Sequence, residues 1–155
     1  MGLKKYGLEF NATFRYLYYF PDTEYTRVPE SVDQPVAPQE NKERVDRKIG
    51  DVYRIDLQGN YEFIEGFTFS LFYRYLVKKR DQISGDRGLA YDSLQKETNA
   101  IEHQYRVGLA YSTIPLFQKK EFPVPLSVNL YYRNRFAAEN ALKSQFIGLD
   151  AVIYF

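Results

Sequence analysis

The C-terminal stretch Gln145-Phe-Ile-Gly-Leu-Asp-Ala-Val-Ile-Tyr-Phe155 decides the fold class of this chain. Apolar side chains occupy every second position, and Gly148 and Asp150 lie between them. Because successive side chains of a β-strand point to opposite faces of a sheet, this alternation predicts a strand with two different environments. The positions that share the apolar face are Ile147, Leu149, Ala151, Ile153 and Phe155.

Five further segments of the chain show the same alternation with a period of two. Between residues 67 and 78, for example, Phe, Leu and Tyr alternate with Thr, Ser and Arg. The pattern predicts an all-β fold, an antiparallel up-and-down meander of about six long strands in one unit over residues 1–155. The predicted strands cover residues 6–20, 52–63, 67–78, 101–113, 126–136 and 145–155.

The connections between the predicted strands differ in length and character. Ile64-Glu65-Gly66 is typical of a tight turn, in which a glycine supplies a positive φ. The stretches 21–51 and 79–99 are long, polar and rich in charge, and we predict them to be long outer loops. The connection 114–125 contains three prolines and is predicted to follow an ordered, extended path. The pattern predicts no helix.

The alternating last strand, which stops on the aromatic residue Phe155, resembles the C-terminal strand of bacterial outer-membrane β-barrel proteins. In that family the last strand closes the barrel, and a terminal aromatic residue belongs to the signal that the insertion machinery recognises. The resemblance implies a segment of a porin-like or transporter-like transmembrane β-barrel, although it indicates no subfamily. It also implies a multi-pass location in the bacterial outer membrane, with membrane lipids and the insertion machinery as partners.

The apolar faces of the predicted strands are sorted along the strand, with aliphatic residues in the middle and aromatic residues towards both ends. A bilayer favours this order, because an interfacial Tyr keeps its ring in hydrocarbon and its hydroxyl among headgroups. A soluble barrel, with the apolar face inward, is the alternative. The predicted girdle and insertion-signal residues are Tyr16, Tyr18, Tyr61, Phe63, Phe67, Tyr73, Tyr75, Tyr105, Tyr111, Tyr132, Ile153 and Phe155.

The polar faces of the same strands carry arginines, carboxylates and amides, which suits a wet lumen crossed by charge pairs. A ring of guanidinium groups in a lumen would favour anions, or would position acidic or phosphate-bearing solutes. Alternatively, the arginines pair with the carboxylates and only stiffen the wall, which is the interpretation that we favour from the sequence. The predicted lumen-lining residues are Arg15, Arg54, Asp56, Glu62, Arg74, Glu102, Arg106, Arg133 and Asp150.

Composition excludes several functional classes. The formal net charge of +1 gives no reason to expect nucleic acid as a partner. The chain contains no cysteine, which excludes disulfides and thiolate metal sites. Its one histidine, His103, has no neighbours that would complete a catalytic triad. We therefore predict no enzymatic activity, no cofactor and no metal site.

Six strands are too few to close a membrane barrel. Single-chain barrels start at about eight strands, and unpaired backbone groups in lipid cost several kcal/mol each. We therefore expect further strands, from the same longer protein or from other copies, and we favour the former. The predicted function is a channel wall that allows passive or facilitated passage of solutes across the outer membrane. The alternatives are the barrel portion of an export or assembly pore, and a structural or adhesive barrel that binds through its long loops.

Overall fold

The computed structural model describes the backbone of residues 2–5 and 7–155, and the side chains from residue 7 onward. The described residues form ten strands, two short α-helices and one 3-10 turn over Gln39–Asn41. The strands are β1 (Gly2–Lys5), β2 (Leu8–Leu17), β3 (Asp22–Arg27), β4 (Lys42–Lys48), β5 (Val52–Ile64), β6 (Phe67–Lys78), β7 (Gln82–Ser84), β8 (Ala100–Ser112), β9 (Leu126–Glu139) and β10 (Ser144–Ile153). The helices are α1 (Tyr91–Gln95) and α2 (Ile114–Gln118).

Seven of these strands form one large antiparallel sheet in the order β1-β2-β5-β6-β8-β9-β10. Each long strand pairs with the next long strand along the chain, and this confirms the predicted all-β antiparallel meander. Among the described residues no pairing joins β1 to β10, so the sheet is open and is not closed into a barrel.

The first predicted strand is shorter than expected. The alternation suggested one strand over residues 6–20, whereas β2 covers only Leu8–Leu17. Gly7, with φ of +75°, reverses the chain before β2 and separates it from the edge strand β1. Position 6, at which the predicted strand began, lies outside the described residues. The alternation of apolar and polar residues continues across Gly7. The alternation alone therefore does not reveal that the chain turns there.

The last predicted strand also differs at its ends. It was expected over residues 145–155, whereas β10 runs from Ser144 to Ile153. Its last pair is Ile153 opposite Leu126, which is the first residue of β9. Beyond this point β9 offers no further partner, and the backbone N–H of Tyr154 instead donates to the carbonyl of Pro125 at 3.0 Å.

The two stretches that were predicted as loops contain regular structure. Residues 21–51 hold β3 and β4, and residues 79–99 hold β7 and α1. The strands form a second, three-stranded sheet in the order β3-β4-β7. Val28 and Val45 are fully buried beside it and are the only buried hydrophobic residues of the described chain. The prediction was wrong here because this small core depends on contacts between two separate loops.

The connection between β8 and β9 begins with a helix and not with the extended path that its prolines suggested. Pro115 occupies the first turn of α2, where the absent N–H has no intrahelical partner to lose. The N–H of Phe117 donates to the carbonyl of Thr113 at 2.8 Å. Thr113 is fully buried, and its hydroxyl donates to the carbonyl of Val124 at 2.6 Å, which ties the two ends of the connection together.

The apolar face of the large sheet is more exposed than the polar face of its central strands. In a soluble protein the apolar face of a sheet is normally the buried one. On the apolar face Phe14 is 66% exposed and Leu149 is 67% exposed. On the polar face Gln104 is only 5% exposed, and the Asp56 side chain retains 13% of its accessible surface. The apolar face of the large sheet is therefore not covered by any described part of this chain.

The turn between β5 and β6 is fixed by Gly66. Its φ is +82°, its N–H donates to the Glu62 carboxylate at 3.1 Å, and its carbonyl accepts from the N–H of Ser112 at 2.8 Å. A Cβ at this position would lie 2.4 Å from the carbonyl oxygen of Ser112. The predicted tight turn is therefore confirmed, and it also anchors the end of β8.

We expect Gly66→Ala to lower the free energy of unfolding by about 1–3 kcal/mol, because the new side chain forces a strained φ and displaces β8. Gly59→Ala is the matched control, since a Cβ at Gly59 meets nothing within 4 Å. Urea unfolding of the two variants measures the difference. Equal stability of the two variants would contradict the assigned turn.

Candidate functional site

The polar face of the large sheet places charged side chains from adjacent strands in rows. One row crosses β5, β6, β8 and β9 and contains Asp56, Arg74, Gln104 and Arg135. The next row runs from β5 to β10 and contains Gln58, Phe72, Arg106, Arg133 and Phe146. The backbone register therefore gathers the arginines of several strands into one cluster.

Asp56 is the acidic centre of the first row. Its Oδ1 accepts from Nε of Arg74 at 2.8 Å, and its Oδ2 accepts from Nη2 of the same guanidinium at 3.3 Å. On the other side Nε of Arg54 lies 3.0 Å from Oδ2, close but without hydrogen-bond alignment. A two-point contact between a guanidinium and a carboxylate is stronger and more directional than a single one. Asp56 therefore holds Arg74 firmly and compensates the charge of Arg54.

Glu102 compensates the charge of Arg135 on the neighbouring strands. Nε of Arg135 lies 3.2 Å from Oε2 of Glu102 without hydrogen-bond alignment, and both side chains are largely shielded. The pair is diagonal, because Glu102 stands opposite Ala138 in the β8–β9 ladder. A β-bulge between His103 and Gln104 shifts the register at this point. The two carboxylates thus serve three arginines, Arg54, Arg74 and Arg135.

Arg106 and Arg133 have no carboxylate partner among the described residues. They stand directly opposite each other on β8 and β9, and no carboxylate of the described residues lies within ion-pair distance of either. Aromatic rings support them instead. The Arg106 guanidinium lies 5.5 Å from the ring centre of Phe72 and 5.7 Å from that of Tyr131, and Arg133 lies 3.9 Å from that of Phe146. Such cation–π contacts orient a guanidinium but leave its in-plane N–H groups free.

A cavity of about 220 Å³ opens among these side chains. Its walls come from β6, β8 and β9, so it lies on the polar face towards the middle of the sheet. The lining residues are Phe72, Arg74, Gln104, Arg106 and Arg133.

The predicted lumen residues are only partly brought together. Arg54, Asp56, Arg74, Glu102, Arg106 and Arg133 form the cluster just described. The remaining three residues share the face but lie outside it. Arg15 is exposed on β2, Glu62 accepts from Gly66 at the turn, and Asp150 is exposed on the edge strand β10.

Three aromatic residues of the cluster were not predicted as site residues: Phe72, Tyr131 and Phe146. Each occupies a polar-face position in an otherwise alternating strand, and each contacts an arginine. An aromatic residue that breaks the alternation beside an arginine is the sequence signal that could have identified them. Gly148 completes the arrangement, because a Cβ there would lie 2.4 Å from the Tyr131 ring.

Most of the predicted girdle residues lie on the opposite face. Several lie towards the ends of the strands, whereas Tyr73, Tyr105 and Tyr132 lie near the middle of β6, β8 and β9. The Tyr73 hydroxyl and His103 Nδ1 lie 2.7 Å apart, and at one end of the strands the Tyr16 and Tyr53 rings are 4.9 Å apart. At the other end the Phe67 and Tyr111 rings are 4.4 Å apart. Leu71, Val107, Leu109 and Leu130 share this face, and Val107 stands directly opposite Tyr132.

The final residues of the chain form a separate apolar feature. Ile153, Tyr154 and Phe155 line a cavity of about 700 Å³ with Phe117 and Val124 from the β8–β9 connection. Phe155 itself is fully exposed and follows the end of β10.

The small sheet carries its own charge pairs. Arg47 binds Asp22 through two hydrogen bonds, of 2.6 and 3.0 Å, and it binds Glu24 at 2.5 Å. The Arg47 guanidinium lowers the pKa of Asp22 and has its own pKa raised in return. The Tyr91 hydroxyl donates to Glu43 at 2.5 Å, and burial beside this carboxylate raises the pKa of Tyr91. The Tyr91–Glu43 bond joins the two outer connections to each other, whereas the bonds of Arg47 lie within the first connection.

No group of His, Asp or Glu side chains in the described part of the chain could hold a metal ion. Within the same residues, no helix has the length and apolar character needed to cross a membrane. Comparison of the chain with protein-family models, with curated proteins and with solved structures finds no match.

Asp56→Asn is expected to lower the free energy of unfolding by about 1–3 kcal/mol, because it leaves Arg54 and Arg74 side by side without a compensating charge. Asp22→Asn is the control, since it removes one carboxylate from an exposed pair in the small sheet. Its effect should be clearly smaller. Urea unfolding compares the two variants, and equal losses would show that Asp56 is not the centre of the cluster.

Proposed function

We propose that this chain forms part of the wall of a transmembrane β-barrel in the bacterial outer membrane, and that the barrel conducts solutes without chemistry. The observation that carries the proposal is the inverted exposure of the large sheet. Its Leu, Phe and Tyr face is uncovered, whereas the Arg, Asp and Gln side chains on its central strands are largely shielded. A barrel with lipid outside and water inside provides the matching environment for each face.

The energetic case rests on the size of the uncovered apolar surface. Exposing one large apolar side chain to water costs about 1.5–3 kcal/mol relative to burying it. Soluble monomers rarely expose contiguous apolar patches above a few hundred Å². The face offered by β2, β5, β6, β8, β9 and β10 carries exposed apolar side chains on every strand. Hydrocarbon would accept this face without the cost that water imposes.

Strand length supports the same proposal. The long strands of the large sheet contain 10 to 14 residues. A tilted strand needs about 9–11 residues to cross the hydrocarbon of a bilayer. Inside lipid, backbone N–H and C=O groups must find partners within the protein, and the ladders from β2 to β10 provide them.

The open sheet requires additional strands in this setting. The outer edge of β10 presents its unpaired backbone groups over Ser144–Ile153, which would be costly in hydrocarbon. We propose that strands of the same longer protein, or of further copies, complete the barrel. The outer-membrane location and the insertion machinery as a partner rest on the resemblance of the last strand.

One observation favours a second candidate function, recognition through the outer connections. These connections are folded into a small sheet with its own buried residues, Val28 and Val45, and with the ion pairs of Arg47. An ordered module at one end of a barrel wall can serve as a binding surface. It can equally shape the entrance of a channel.

A cysteine scan along β9 tests the membrane placement, and the chain contains no native cysteine that would interfere. In bilayers, cysteines at Asn129, Tyr131 and Arg133 should react with a membrane-impermeant thiol reagent. Cysteines at Leu130 and Tyr132 should be protected by lipid. Uniform reactivity, or protection of the odd-numbered positions only, would contradict the proposal.

Planar-bilayer recording of the complete protein tests the channel. We expect stepwise conductance once the barrel is folded and inserted, because the shielded face is lined by charged groups that favour water. A folded and inserted barrel that conducts no ions would refute the channel and leave recognition through the outer connections as the surviving candidate.

A further inference from the structure

The polar-face arginines of the strands from β5 to β9 fall into two groups that differ in how their charge is compensated. Arg15, exposed on β2 opposite Arg54, lies apart from both groups. Arg54, Arg74 and Arg135 each have a carboxylate oxygen within 3.2 Å. Arg106 and Arg133 have none among the described residues, although they stand opposite each other on neighbouring strands. Like charges placed directly opposite in a sheet are destabilising. The pair therefore has an unmet requirement for negative charge.

Aromatic rings orient the two guanidinium groups but supply no negative charge. Phe72 and Tyr131 lie against Arg106, and Phe146 lies against Arg133. Stacked guanidinium groups lose little further freedom when they bind a ligand, and their N–H forks stay available. No described residue accepts a hydrogen bond from either guanidinium.

The largely buried residue Gln104 provides a third polar group at the cavity. Gln104 is 5% exposed and lines the cavity with Arg106 and Arg133. No described residue forms a hydrogen bond with its side chain, so its amide is available to a ligand in the cavity. The cavity of about 220 Å³ is large enough for a small oxyanion that retains part of its hydration.

We propose that Arg106, Arg133 and Gln104 form a binding site for a phosphate group. A phosphate dianion matches the two uncompensated guanidinium charges, and its oxygens accept the paired N–H bonds that a guanidinium fork donates. A halide offers no such paired acceptors. The inference deepens the proposed function and rests on it, because a solute reaches this face only through a lumen. The group that binds can be free phosphate or the phosphate of an organic ester.

Isothermal titration of the complete protein, folded in detergent, with inorganic phosphate tests the site without requiring passage across a membrane. We expect Arg106→Gln and Arg133→Gln each to weaken phosphate binding by about tenfold or more, the usual loss for a charge-assisted hydrogen bond. Arg15→Gln is the matched control, since it removes the same charge from an exposed position on the same face. It should change the affinity less than twofold if the site is local.

One further variant and two further titrations show which ligand binds and whether binding needs the guanidinium fork. Arg133→Lys retains the charge but loses the fork, so it should bind phosphate more weakly than the native protein. Titration with glycerol phosphate distinguishes ester from free phosphate, and titration with chloride measures general attraction. No phosphate binding, equal binding by phosphate and chloride, or an unchanged affinity in both Arg→Gln variants would overturn the site. Phosphate binding without conductance would refute the channel alone.

Discussion

The structure depends on one constraint. In a β-sheet the backbone hydrogen bonds run between neighbouring strands, so each of the two faces needs an environment that suits its side chains. In the large sheet the ladders run from β2 to β10, so the peptide groups between neighbouring strands are paired. The side chains then divide strictly between two faces. The apolar face carries Leu71, Leu109 and Leu130, each about half exposed, and the described chain offers nothing to cover them. The proposed lipid contact follows from this imbalance.

On the polar face many arginines lie close together, and their positive charges repel one another. Asp56 and Glu102 compensate three of them through short contacts, and aromatic rings support the other two. Electrostatic interactions are stronger where water is restricted, so the arrangement stiffens the sheet where carboxylates are present. Where they are absent it leaves guanidinium groups directed at a cavity. We therefore propose the two interpretations of the arginines that the sequence left open, pairing with carboxylates and attraction of anions, for different members of the same cluster.

The extent to which the sequence predicted this structure follows the range of the interactions involved. The strands β5 and β6 and the turn at Gly66 were predicted nearly to the residue, because alternation and a positive φ are local properties. The small sheet was missed, because the pairing of β3 with β4 and of β4 with β7 joins residues from two polar connections that lack clear alternation. For the site, the arginines were predicted from their shared face. The support of Arg106 by Phe72 and Tyr131 was not, since it depends on which rows the register brings together.

Fluorescence of a single tryptophan shows directly which face of the large sheet meets lipid, because the native chain contains no tryptophan. Leu130 and Tyr131 are adjacent on β9 and point to opposite faces, so Leu130→Trp and Tyr131→Trp report the two environments at nearly the same depth. The measurement is quenching by lipids brominated on their acyl chains. If the apolar face meets lipid, quenching is strong at position 130 and weak at position 131. Equal quenching at the two positions, or stronger quenching at 131, would contradict the proposed lipid contact.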